Sequence, residues 1–488
     1  MLTPARCATW LVVSRSRPRS AISRAVASSN RAIIRLARCC FGCFLMRVPS
    51  ASCLRAISRN SVERPHQQAT NQGMKTSSDS LVLPARHGAD MLRARQVAAP
   101  IRRFIKGASE PEPAQWQAIG ESLLQGDAPM DALVEWMFEV GLAQAMPLYN
   151  QALAHGVAAI ADAPPPLLRF FASVEAVPDW LEPERLLEGA RVCGLSGLTG
   201  MRVLRDLGLL AGYQASAINR TLVLTGALEK GAQRRVAETT KWWVDCTRPG
   251  GMARGSAGYH GTLHVRLVHA LVRRRVSRMA EWDADYHGVP INQGDMHATY
   301  LAFSVIFLIG QRMLGVPLSV GEREAVLHLW RYIAWLMGVE ACWLHQHEND
   351  AVRALYHNLL SQAPADASSR QLGSALIDEP LQRHYPNLPW LRGRLNRAIH
   401  LSIARTFIDA EGRRALGLPD RILPWYPLLS APPRYVLHRL ARCLPGGRQW
   451  LIRRGARRQE AYLLTLFGDD HPRLVTATHM VPNESHRH

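Results

Sequence analysis

Apolar residues recur at three- and four-residue intervals from about Ala98 to Phe407, with polar residues between them. That spacing marks helices with one buried face. It predicts helices over 115–125, 130–155, 166–173, 184–205 and 210–225, separated by Gly, Pro and Asp. Further helices are expected over 227–246, 261–279, 296–314, 327–346, 372–381 and 389–407. No stretch holds a period of two for long and β-branched residues do not cluster, so strands are not expected. The pattern is that of an all-α protein. The apolar run at 301–310 ends at Gln311 and Arg312, which makes it a buried core helix rather than a membrane span.

One stretch stands out chemically. Residues 261–279 read GTLHVRLVHALVRRRVSRM. Val265, Val268, Val272 and Val276 form an apolar stripe, and His269 lies at its edge. At roughly 100° per residue, Arg266 and Arg273 fall roughly 60° and 40° from His269, on the side away from the valines. Arginine and histidine are seldom buried without partners. One account is a satisfied core histidine with two snorkelling arginines. The other is a haem b site, with the imidazole on iron and the arginines on the two propionates. Two nearby cations would also keep His269 neutral, as a metal ligand must be.

The balance of 47% hydrophobic and 20% charged residues over 488 positions is that of a globular protein. The formal net charge is +20, and only Lys75, Lys106, Lys230 and Lys241 among the 59 basic residues are lysine. Residues 1–73 are rich in Arg and Ser, and 1–62 carry no acid. They have the composition of a transit peptide or of an extension upstream of a start at Met74, so a chain beginning at Met74 is expected to fold and bind haem. Cys40 and Cys43 form a CxxC pair followed by Phe44, where a c-type haem attachment needs His. Four scattered cysteines in the body do not suggest a disulfide framework, which favours a reducing compartment. No export pattern is evident, and a cytoplasmic location is expected. Residues 434–458 hold eight Arg and no acid, with Trp450, Leu451 and Ile452. They read as a solvated basic face or as an amphipathic helix in peripheral contact with anionic membrane. Charge is the sole argument for nucleic acid, and no such partner is expected. His345, His347 and Glu348 could join in a metal site only on a loop, because residues two apart on a helix diverge by roughly 200°.

The helix expected over 227–246 carries Arg235, Glu238 and Thr239 at i, i+3 and i+4, on one face, where Arg235 and Glu238 can pair. Followed by RLVHALVRR at 266–274 and WDADYHGVPINQGD at 282–295, this face resembles the haem-dependent rubber oxygenases, the family of latex clearing protein and MpaB. The likeness covers roughly 110–420. It implies an all-helical domain with a globin-like core around haem b, expected over 98–430 and followed by a basic helix and tail over 431–488. His269 would be the proximal iron ligand. Arg266 and Arg273 would hold the haem or its propionates. Arg235, Glu238 and Thr239 would lie on the distal side, and Thr299 would correspond to a further functional threonine. Dioxygen and an apolar alkene, isoprenoid or lipid-like, would be the substrates. Glu238 departs from the pattern, since latex clearing protein has there a lysine that can cap the iron; here it would be a base, an ion-pair partner or a cap. The competing expectation is a non-enzymatic helical protein that binds haem or membranes.

Overall fold

The first described helix begins seven residues before the expected domain. The computed structural model describes residues 81–226 and 231–468, so the expectations for 1–73 and for the tail from Asp469 lie outside it. Among the described residues there is no strand, and the all-α expectation holds. In chain order the helices are α1 (Met91–Arg102), α2 (Pro113–Ser122), α3 (Ala128–Val140), α4 (Leu142–His155), α5 (Pro165–Glu175), α6 (Pro183–Val203) and α7 (Ser216–Leu224). Next come α8 (Ala232–Cys246), α9 (Ala257–Val276), the one-turn α10 (Ala284–His287), α11 (Gln293–Leu301), α12 (Phe307–Met313) and α13 (Val320–Leu336). The series closes with α14 (Glu348–Ser361), α15 (Ala367–Asp378), α16 (Pro389–Phe407), α17 (Ala410–Ala415), α18 (Trp425–Cys443) and α19 (Gly447–Phe467).

Local chemistry sets many of these boundaries. Asp90, Asp127, Ser256, Asn292 and Ser319 each precede a helix and accept a bond from a first-turn N–H. Gly141, at φ 92°, splits the helix expected over 130–155 into α3 and α4. The helix expected over 327–346 ends at Leu336, and the chain then makes a short 3₁₀ turn at Ala341–Trp343.

Wide π turns interrupt two helical runs. Leu204–Leu210 continues from α6, and Ala302–Ile306 joins α11 to α12. The first carries a buried charge network. Arg205 lies 3.0 Å from Glu379 and 2.8 Å from Asp206, Arg383 lies 2.7 Å from Glu379, and His400 lies 2.7 Å from Asp206. Burial raises the Asp206 carboxyl to about 7, against the pull of Arg205. These pairs tie the π turn to α16.

The core is aromatic at its centre, with Tyr149, Phe170, Phe171, Trp243, Phe307 and Trp330 buried. Glycine lets α19 approach α6: a Cβ at Gly455 would overlap the Gly194 carbonyl, and Gln459 donates to the Cys193 carbonyl at 2.9 Å. The boundaries expected at 98 and 430 do not separate bodies. Arg86 makes a buried ion pair with Asp295 at 2.8 Å, and α1 packs on α14 through Ala94, Ala98, Tyr356 and Leu360. Likewise α18 runs through 430. The basic stretch 434–458 is two helices, α18 and α19, with a turn at 444–446, because Leu444-Pro445-Gly446 ends the first. Among the described residues no helix is long and apolar enough to cross a membrane.

Candidate functional site

Helices α8 and α9 form an antiparallel hairpin. Its closed end is tight because Gly258 has no side chain: a Cβ there would lie 2.7 Å from the Cys246 Cα. The Trp242 indole N–H donates to the Thr262 hydroxyl at 3.1 Å nearby. From this end α8 leads back to Thr239, Glu238 and Arg235, and α9 leads forward to His269. All four line one cavity of about 1780 Å³. Its walls are mainly apolar and include Val265, Val268, Val272, Leu207, Phe303 and Ile306. Three valines of the α9 stripe, Val265, Val268 and Val272, thus face this space, while Val276 is fully buried. Both π turns contribute to the same wall, and such turns recur at functional sites.

His269 is part-buried, and its accessible surface opens on the cavity. Its Nδ1 is buried without a partner. Burial, reinforced by Arg273, lowers its pKa to about 4, so the imidazole is neutral at pH 7.

The two arginines beside it do not face the cavity. Arg266 makes a buried bidentate pair with Asp127, Nε to Oδ2 at 2.6 Å and Nη2 to Oδ1 at 2.8 Å, and donates to the Leu336 carbonyl at 3.1 Å. Arg273 pairs with Asp131 and donates to the carbonyls of Pro290 at 3.1 Å and Ile291 at 2.9 Å. The expectation that they hold propionates is corrected here. A buried guanidinium needs a counter-charge, and the N-terminus of α3 supplies one to each, Asp127 as its cap and Asp131 from its first turn. Gly338, at φ 90°, makes room for the first pair: a Cβ there would overlap the Asp127 carboxylate and lie 2.8 Å from Arg266 Nε. Arg103, Arg235 and Arg275 are the cavity-lining arginines with no ion-pair partner among the described residues.

On α8 the expected Arg235–Glu238 pair is absent. Glu238 is paired with Arg234, Nε to Oε1 at 2.8 Å, on a part-exposed face. Arg235 instead lies over the Tyr213 ring, 5.8 Å from its centroid. Glu238 Oε2 has no hydrogen-bond partner among the described residues. Thr239 is open to the cavity. Thr299 lines it too, its hydroxyl donating to the Asp295 carbonyl at 2.9 Å.

Other polar groups reach the cavity without having been foreseen. His264 also lines it, with Nδ1 buried and unpartnered and a pKa lowered by burial. It stands five residues before His269, roughly 140° round the helix, and only the width of the cavity lets both reach it. Asn219 is buried with its Oδ1 unpartnered, and it too is part of the lining. No signal in the sequence marks it. The metal site imagined around His345, His347 and Glu348 does not form: His345 lies 3.0 Å from His297, Nε2 to Nε2, while Glu348 is held by Arg312 and Arg323.

A haem group fits one part of this arrangement. A neutral imidazole with a cavity-facing surface, in an apolar space larger than most ligand pockets, is what axial ligation requires. Arg266 and Arg273 do not fit the role of propionate partners.

Comparison with known proteins gives three findings. The profile described as ER-bound oxygenase mpaB/B'/Rubber oxygenase, catalytic domain, matches residues 201–444. The Rubber oxygenase of Streptomyces sp. (strain K30) is 26% identical over 194 residues, 39% of this chain and 46% of that protein, so the match spans less than half of the relative. The solved structure of latex clearing protein LCP in the closed state superposes with a TM-score of 0.56 at 19% identity, over 73% of this chain and 94% of that one. At that identity the likeness is one of fold.

Proposed function

Since the chain belongs to the mpaB/rubber oxygenase catalytic-domain family, we propose that it is a haem b-dependent oxygenase of an unsaturated apolar substrate. The observation that carries this reading is the neutral imidazole of His269, set on the wall of a large apolar cavity.

In this reading His269 would hold the iron of haem b through its neutral imidazole. Bound haem b supplies the iron at which dioxygen is activated. Arg103 and Arg275, rather than Arg266 and Arg273, are free to meet its propionates. The ion pairs of Arg266 and Arg273 hold α9 in place and so position His269. Val265, Val268, Val272 and Phe303 exclude water and favour an alkene chain. The Thr239 hydroxyl and the Arg235 guanidinium would supply polarity to the space where dioxygen and substrate meet, and Thr299 lines the same cavity. Glu238 lines the cavity together with Asp295 and, with Oε2 left free because Arg234 engages only Oε1, would serve as the base toward an allylic C–H.

The test is the absorption spectrum and haem content of the purified protein, as isolated and after dithionite, for the native chain and for His269→Ala. Loss of haem in the variant supports His269 as ligand, and a full complement with an unchanged spectrum refutes it. His264→Ala, made in parallel, should keep its haem. Alkene-dependent dioxygen uptake separates the oxygenase from a protein that only binds haem.

A further inference from the structure

Helix α18 is built inside out. At roughly 100° per residue, Leu429, Val436, Leu440 and Cys443 fall within roughly 60° of one another on its outer face. Leu429 is 70% exposed and Leu440 62% exposed. Leu428 and Leu444, both exposed, flank this ridge. The opposite face carries Arg434, His438 and Arg442, and all three turn toward the protein. Arg434 donates to the Leu314 carbonyl and, at 3.0 Å, to the Tyr426 hydroxyl. Arg442 pairs with Glu322 at 2.8 Å. His438 is buried, with Nδ1 unpartnered. Water favours the reverse arrangement on a surface helix, and a contiguous apolar ridge rimmed by polar groups marks a contact surface.

The charge around the ridge says what covers it. Arg439 lies on the outer face itself, and Arg453 and Arg457 are exposed on α19, just past the turn. These three have no ion-pair partner among the described residues. Trp450 stands at the start of α19 with Arg454 over its ring, 4.8 Å from the centroid. Between 434 and 458 there is no acid to answer these guanidiniums. The covering partner must therefore be apolar opposite the leucines and anionic opposite the arginines. A second copy of this chain does not meet that demand, because a two-fold contact through this face would set arginine against arginine.

We propose that the outer face of α18, with the first turns of α19, docks onto an anionic lipid surface. The leucines of α18 enter the acyl boundary, Trp450 sits at the headgroup level, and Arg439, Arg453 and Arg457 meet lipid phosphates or carboxylates. The helix lies in the interface plane, in keeping with the lack of a membrane-crossing helix among the described residues. This inference rests on the surface alone and does not depend on the oxygenase reading.

The full-length protein is to be co-sedimented with vesicles of phosphatidylcholine alone and with vesicles containing 30% phosphatidylserine (about one lipid in three), at low and high salt. Binding should require phosphatidylserine and weaken at high salt. The double variant L429S/L440S should lose at least about fivefold of the bound fraction, and so should R439E/R453E. Both alter exposed positions, and circular dichroism melts matching the native protein establish that they fold. Equal sedimentation with neutral and anionic vesicles overturns the proposal, as does undiminished binding by both variants. Light scattering adds the competing occupant: a dimer abolished by L429S/L440S, without vesicle binding, overturns the lipid assignment in favour of a second copy.

Discussion

Two helices line the same cavity and treat their charges in opposite ways. On α9, Arg266 and Arg273 are buried and answered by Asp127 and Asp131, with backbone carbonyls taking further N–H groups. On α8, Arg235 has no carboxylate among the described residues, Glu238 is paired only at a part-exposed face, and Thr239 opens on the cavity. A fully answered buried charge fixes a position and has little left to offer a ligand. A polar group left unanswered beside a cavity is costly to the fold and available to chemistry. Arg266 and Arg273 are therefore scaffold, and the polarity left for a ligand belongs to Arg235, Glu238 and Thr239 on α8 and to His269 and Arg275 on α9.

The sharpest way to break this contrast is Arg266→Ala. It leaves Asp127 buried and unpaired, and should cost about 3–5 kcal/mol in denaturant unfolding. A loss below about 1 kcal/mol would mean that α9 is held in some other way. Acid should act next most strongly. The folded pKa of His269 lies near 4, below the ordinary value of 6.5, so the unfolded chain binds the extra proton first. For the haem-free protein this contribution to stability is intact above about pH 6.5 and falls by about 1.4 kcal/mol per pH unit between there and about 4. His269→Gln should flatten that part of the profile, and an unchanged slope would contradict the burial of the imidazole. Gly338→Ala strains a φ of 90° and pushes a Cβ onto the Arg266–Asp127 pair, for about 1–3 kcal/mol, measured by thermal melting. The smallest effect on stability belongs to α8. Arg234→Ala should cost under about 0.5 kcal/mol, as exposed i, i+4 pairs do. Glu238→Gln should leave the melt equally unmoved, yet lower alkene-dependent dioxygen uptake. Unchanged uptake would remove Glu238 as the base.

Much of this wall structure was legible from the chain. The helical period located α8 and α9, and the spacing along each placed His269 beside the valines and set Arg235, Glu238 and Thr239 on one face. The partners of the arginines were not legible. Arg266 and Asp127 are 139 residues apart, and nothing local announces their meeting. The pairing of Glu238 failed for a different reason. Arg234 and Arg235 are both within helical reach of it, at four and three residues. Local rules cannot choose between them, and the choice falls to Tyr213, whose ring takes Arg235. Periodicity likewise recognised the apolar stripe of α9 but could not tell a packed face from the wall of a cavity.

The π turns at Leu204–Leu210 and Ala302–Ile306 carry a consequence of their own. Each wide turn accommodates a residue beyond the α-helical count while the helix on either side keeps its facing, because a π turn sweeps roughly the angle of an α-helical stretch one residue shorter. Deleting one residue from Ala302–Ile306 would therefore leave Phe307 and Leu308 in the core and draw in only the widened turn, from which Phe303 and Ile306 now reach the lining. The open space is thus widened locally, by a surplus residue in each of two helices, and a lineage that lost either would be expected to narrow the cavity while keeping nearly every other residue that lines it.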